Sequence, residues 1–283
     1  MKILKFNGFF LILLFVYGSL TAQPGVDSLS LLYQQSEERE KLAVIMELIA
    51  IHLERAPVMS VNLGLEALHL ARQLGDGDYE LKALLALADG HMRLGNFVDA
   101  YRFHMQAYEA AHLQGDPLSV ISVLMQFGQL YAALSDFEKA ADYYFQALSL
   151  AREQHEEKLT AEILFLLGDT YRQLKNNNLS LDYSNQALEK FKHLAIPSYI
   201  SKTLIQIGKI NMDLGNFTEA IRNDREALIL AMEAEDPWHI SLAYNDLGWN
   251  YLQLGEYETA LSFNRMALDY RRTHEIHPLM GSS

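Results

Sequence analysis

Apolar residues recur along this chain at helical spacing, and the recurrence itself repeats. Leu124, Phe127, Gly128 and Tyr131 fall at i, i+3, i+4 and i+7; Leu164, Leu167, Gly168 and Tyr171 do the same, as do Leu204, Ile207, Gly208 and Asn211. One such stripe per segment predicts a helix with a single face on a core. Polar turn signals separate the stripes: "RLGNF" at 93–97, "ALSDF" at 133–137, "DLGNF" at 213–217 and "QLGEY" at 253–257. Only short connections remain between them, so each helix is expected to run about 16–18 residues.

Three columns of small residues fix the period. Ala67, Ala107, Ala147, Ala187, Ala227 and Ala267 stand 40 residues apart each time. A second column holds Ser60, Ala100, Ala140, Ser180, Ala220 and Ala260, and a third holds Leu48, Ala88, Gly128, Gly168, Gly208 and Gly248. A fixed period of this size means one supersecondary unit copied along the chain. Where helices cross closely, a large side chain would hold the axes apart, so a repeated small residue repeats the crossing. These positions are structural spacers.

The turns carry their own chemistry. Gly95, Gly215 and Gly255 are placed to take the left-handed conformation that ends a helix. Asn96, Asp136 and Asn216 are placed to cap the next one. The fourth block reads "QLKNNNL", where an asparagine is expected to replace the glycine. Asp116-Pro117 and Asp236-Pro237 put a capping residue before a proline at the first helical position, and Pro197 shares that register.

The pattern resembles the tetratricopeptide repeat, whose signature runs Leu-Gly-x2-Tyr, then Ala-x3-Phe, then Pro. Leu167-Gly168-x2-Tyr171 and Leu247-Gly248-x2-Tyr251 match the first element, with Phe127-Gly128-x2-Tyr131 close to it. Ala140-x3-Tyr144 carries tyrosine for phenylalanine in the second, and Pro117, Pro197 and Pro237 fit the third. The period of 40 departs from the family's usual 34, which marks a long-period bacterial subtype. The resemblance implies an all-α, right-handed α-solenoid of about six units over residues 37–277, its weakest block first. Residues 23–36 are read as an arm or short helix and 278–283 as a tail.

The chain opens "MKILKFNGFFLILLFVYGSLTAQ": two lysines, an unbroken apolar run from Phe9 to Tyr17, then small residues. This is the layout of a secretory signal peptide over 1–22, cleaved after Ala22, although Leu20 departs from the small residue usual near the cut. A spanning helix needs about 20 apolar residues, so no stable membrane span is expected after cleavage, and the chain is read as exported and periplasmic. It contains no cysteine, which excludes disulfides and thiolate chemistry and suits an oxidising compartment. Its formal net charge of −13 argues against a nucleic-acid partner.

The family resemblance implies that the first helix of each unit lines a groove that holds a protein or peptide segment. On this sequence that face is a second stripe, rotated from the core stripe: Leu85, Asp89, Met92 and Arg93; Met125, Gln129, Ala132 and Ala133; Phe165, Asp169, Arg172 and Gln173. It continues with Ile205, Lys209, Met212 and Asp213, then Asn245, Trp249, Leu252 and Gln253. Methionines re-pack around different partners, and Arg and Trp anchor interfaces. The same residues also admit a plainer reading, with Asp89/Arg93 and Lys209/Asp213 as i,i+4 ion pairs and the apolar members packed between repeats. The lysine- and arginine-rich set with which chaperone-binding relatives grip a terminal carboxylate is absent at Leu85, Met125, Phe165 and Ile205.

His91 is read as a core-edge residue, and Phe103, Tyr143, Tyr144, Phe145 and Phe263 as packing between repeats. His274 and His277 lack a third ligand, so no metal, cofactor or catalytic centre is expected. The chain therefore reads as a non-enzymatic scaffold, with an alternative as the extracytoplasmic sensory region of a membrane sensor histidine kinase or related membrane signalling regulator. An open face after the last repeat is expected to suit a homodimer or a further domain.

Overall fold

The computed structural model describes residues 29, 31–34 and 36–274. The signal peptide at 1–22, most of the arm at 23–36, His277 and the tail at 278–283 lie outside the described residues. The described chain is all-α. Twelve helices run from Glu38 to Thr273: α1 (Glu38–His52), α2 (Pro57–Leu74), α3 (Gly77–Arg93), α4 (Phe97–Gln114), α5 (Pro117–Ala133) and α6 (Phe137–Glu153), then α7 (Glu157–Gln173), α8 (Asn177–His193), α9 (Pro197–Asp213), α10 (Phe217–Glu233), α11 (Pro237–Gln253) and α12 (Tyr257–Thr273). They form two compact units that divide within α4, between Ala110 and Ala111.

In the first unit α1 pairs with α2, and α3 packs on both. In the second, α5–α6, α7–α8, α9–α10 and α11–α12 are successive antiparallel pairs. The second helix of each pair packs on the first helix of the next, and α9 also touches α7 and α11. The six alanines of the period-40 column are all buried, from Ala67 to Ala267. In the second unit a glycine opens each pair to its closest approach. A Cβ on Gly128 would run into the Tyr144 ring, and one on Gly208 would run into the Asp224 carboxylate.

The turns are more regular than the sequence implies. A residue of positive φ stands at every twentieth position: Gly75, Gly95, Gly115, Ser135, His155, Lys175, Ala195, Gly215, Glu235 and Gly255. At most of them the next N–H reaches back five residues to the preceding helix, as in Asn96 N to His91 O at 2.8 Å and Glu156 N to Ala151 O at 2.9 Å. That closure needs one left-handed residue at a fixed place. In the fourth block the place falls on Lys175, with φ 59°, and not on an asparagine. None of the three asparagines of that stretch takes the turn position; Asn176 lies one residue on, where its side chain accepts from Leu179 N and caps α8. Asp136 and Asp236 cap as expected, whereas Asn216 makes no side-chain cap; its backbone carbonyl accepts from Ala220 N at 3.0 Å.

Four aromatics read as packing between repeats work mainly within one. Tyr143 stacks on Phe127 and Tyr131, Phe263 stacks on Tyr251, Phe103 stacks on His91, and Tyr144 covers Gly128. The antiparallel partner helix brings these positions together twelve or sixteen residues apart. Phe145 does reach across repeats, meeting Tyr171 and Tyr183 edge-on at 6.5 and 6.1 Å.

Candidate functional site

The second stripe is laid out in each unit by the first helix of each pair. In the first unit α3 carries Asp89 and Met92, both half-buried, with Arg93 at its end. Arg93 does not pair with Asp89. Its guanidinium reaches Glu54 at 2.6 Å, beyond the end of α1. Asp89 is left in a mostly buried setting that pushes its carboxyl up to about 6, against the pull of the Arg93 charge.

In the second unit α5 contributes Met125, half-buried, and Gln129, exposed. On α7, Phe165 is half-buried, and Arg172 binds Asp169 one turn back at 3.3 Å. The same guanidinium crosses to α9 and binds Asp213 at 3.4 Å. Asp213 is thus paired between repeats and not with Lys209. The Lys209 charge acts instead on the buried Asp246 of α11. Met212 lies half-buried beside Asp213, and α11 adds the exposed Asn245 and Trp249, the indole 49% exposed. Arg172 Nε is buried and has no hydrogen-bond partner among the described residues.

One residue leaves the face. Ile205 is turned into the core, clustered with Leu204 and Ala227 and covered in part by Leu242 of α11. The spacing that leaves Met125 and Phe165 half-buried fails here, where Leu188 and Leu242 from the repeats on either side pack against the Ile205 cluster. Between α7 and α9, Gln206 Nε2 donates to the Phe165 carbonyl at 3.0 Å, a second cross-repeat tie directly under the face.

Sequence reading missed what lies behind this face. Asp224 is fully buried on α10, and Asn250 Nδ2 donates to it at 2.8 Å from α11. Asp246 is buried one turn from Asn250. The signal was present in the column of Tyr144, where the same register holds His104, Ser184, Asp224 and Asn264 in place of an aromatic. Among the described residues no group of three or more His, Cys, Asp or Glu is arranged to hold a metal ion, and no helix is long and apolar enough to cross a membrane.

The arrangement offers a row of adaptable apolar side chains punctuated by a fixed guanidinium, a lysine and an amide. That combination suits an extended polypeptide and holds no nucleophile poised beside a base. Comparison with known proteins places the chain among repeat proteins. The tetratricopeptide repeat family matches residues 79–153, 119–193 and 199–273. No curated protein matches the sequence. Among solved structures, BtubC (BKLC) from P. vanneervenii is similar with a TM-score of 0.69 at 21% identity, over 78% of this chain and 93% of that one. The apo form of RapI is similar with a TM-score of 0.65 at 16% identity, over 88% and 89% of the two chains. A Rap protein complexed with Competence and Sporulation Factor gives 0.64 at 15% identity, over 84% of this chain and 66% of that one. At these identities the likeness is one of fold.

Proposed function

Because the chain belongs to the tetratricopeptide repeat family, a family of protein-binding scaffolds, we propose that it is an exported, non-enzymatic scaffold that holds a peptide or protein segment along the first-helix face of its second unit. The observation that supports this most is the Asp169–Arg172–Asp213 bridge. It fixes a guanidinium between α7 and α9, within a row that also presents Phe165, Met212 and Trp249. A charged group already held in place loses little entropy on meeting a ligand. Aromatic and Arg anchors are the residue types that carry interface energy. A Rap protein of the same fold is described as complexed with Competence and Sporulation Factor, and an extended polypeptide on this face would be the corresponding occupant here.

The test is selection from a displayed random-peptide library on residues 23–283, repeated on Arg172→Glu/Trp249→Ala. Selected peptides should bind the parent and lose at least tenfold in affinity on the variant, with helicity unchanged by circular dichroism. Equal binding by both proteins would remove the face from the proposal. Export is read from the first 22 residues, "MKILKFNGFFLILLFVYGSLTA". Expressed with its own N-terminus in a Gram-negative host, the chain should appear in the periplasmic fraction beginning at Gln23. A cytoplasmic product that retains Met1 would overturn that part.

A further inference from the structure

The interior of the second unit changes character along its length. The pair α5–α6 encloses little that is polar, the Gln126 Oε1 atom and the Tyr144 hydroxyl among the described residues, and its helices meet through Tyr144 over Gly128 and the Phe127–Tyr143–Tyr131 stack. In α9–α10 the stacked pair is replaced by Asn211 and Asn223. Each is buried and each bonds back to its own helix, to the Ile207 carbonyl at 3.0 Å and the Glu219 carbonyl at 2.9 Å. Neither asparagine therefore ties α9 to α10. The tyrosine over the glycine is replaced by Asp224 over Gly208.

The seam onto the last pair is polar as well. Asp224 of α10 faces Asp246 and Asn250 of α11, with the Asn250 amide donating to Asp224 Oδ2; beside this buried cluster Arg225 donates to the Tyr251 hydroxyl, and Ile221 and Leu228 of α10 pack on Leu247 and Tyr251. Asp224 Oδ1, Asp246 Oδ2 and Asn250 Oδ1 are all buried acceptors without a donor among the described residues. With three orphaned acceptors enclosed together, a charge on Asp224 is buried beside a second carboxyl, a cost that its Asn250 bond and Lys209 offset only in part.

We propose that the α10–α11 seam is a pH-sensitive joint, held closed while Asp224 carries a proton and released, α11 and α12 together, as that proton leaves. Burial pushes the Asp224 carboxyl up to about 8, with the charge of Asp246 adding to the rise and the Asn250 hydrogen bond and Lys209 opposing it. Asp246 is raised by burial too, but it faces Lys209 of α9, Arg271 of α12 and Arg172 of α7, and Asn245 bonds to it. The pair divides accordingly: Asp246, among cations, takes the charge and Asp224 keeps the proton. In the opened state Asp224 meets water and returns to an ordinary carboxylate value near 4. Opening therefore releases a proton between about pH 4 and pH 8 and grows easier by up to tenfold per pH unit across that window, levelling off above it. The fold amplifies the effect, because a repeat protein's stability is a sum of local and nearest-neighbour terms, so one weak seam frees whatever lies beyond it. Asn245 and Trp249 ride on α11, so the joint also moves part of the proposed binding face; its existence does not depend on that face binding anything.

Amide hydrogen exchange followed by mass spectrometry on residues 23–283 tests the joint without any ligand. At pH 5.5, 6.5 and 7.5, corrected for intrinsic exchange rates, protection in α11 and α12 should fall by up to tenfold per unit while protection in α5–α8 stays level. Asp224→Asn keeps the shape and cannot ionise, so it should flatten the slope in α11–α12. A slope that persists in Asp224→Asn, or one of equal size in α5–α8, would overturn the proposal.

Discussion

Each left-handed turn position asks one residue to adopt a conformation that only glycine takes without strain. Half of the ten positions carry another residue: Ser135, His155, Lys175, Ala195 and Glu235, with φ between 49° and 60°. A side chain there costs about 1–2 kcal/mol against the following carbonyl, partly offset by the greater freedom glycine has in the unfolded chain. Ala195 is the cleanest case, since its methyl group is exposed and has no bond to make. Ala195→Gly should therefore stabilise the chain by about 0.5–1 kcal/mol, seen as a higher urea midpoint at constant slope. Gly215→Ala is the reverse experiment and should lose about 1 kcal/mol. If Ala195→Gly lowered the midpoint, the turn would not be under the strain its φ implies.

At the scale of helices and turns, much was legible because size and spacing carry the information. The Ala147 column shows where two helices must come close, and the glycines from Gly128 to Gly248 show where they come closest. Lys175 was not legible, because the position of a left-handed residue is counted from the end of the helix, whatever the residue's own preference. The asparagines beside it looked like the better turn residues, and Asn176 is the cap. Ile205 was placed on the face by its spacing and withdrawn from it by Leu242, a contact that no period within one helix reveals. Asn211 falls in the apolar stripe of its helix, so periodicity marked it as interior and gave no sign that it would bond back to that helix. The caps make a direct prediction. Asp116 accepts from Leu118 N and Ser119 N at 3.1 Å and from the Ser119 hydroxyl, holding the start of α5. Asp116→Ala should cost about 1 kcal/mol, read from thermal unfolding, whereas Asn216→Ala, which removes no side-chain cap, should fall within about 0.5 kcal/mol of the parent.

Over the whole molecule, buried titratable groups act in opposite directions, and their signs decide how the chain responds to acid. Burial depresses His104, fully enclosed on α4, to about 4. Unfolded, the same imidazole takes its proton near 6.5. Between those values the unfolded state binds more protons, so this histidine removes stability as pH falls through 6.5 and stops doing so near 4. Asp89, raised to about 6 by burial, does the reverse: it removes stability as pH rises from about 4 to 6, and Asp224 continues that trend to about 8. The raw stability curve mixes all three, so the informative quantity is the difference between a variant and the parent. His104→Met removes the imidazole and keeps an adaptable apolar side chain in its place. The variant's stability relative to the parent should then increase on acidification from pH 7 to pH 4.5, by up to about 3 kcal/mol, and stay constant above pH 7. Urea unfolding at pH 7.5, 6 and 4.5 measures it. A difference that does not change with pH would mean that His104 keeps its proton equilibrium in the folded chain, and that some other group governs the acid response.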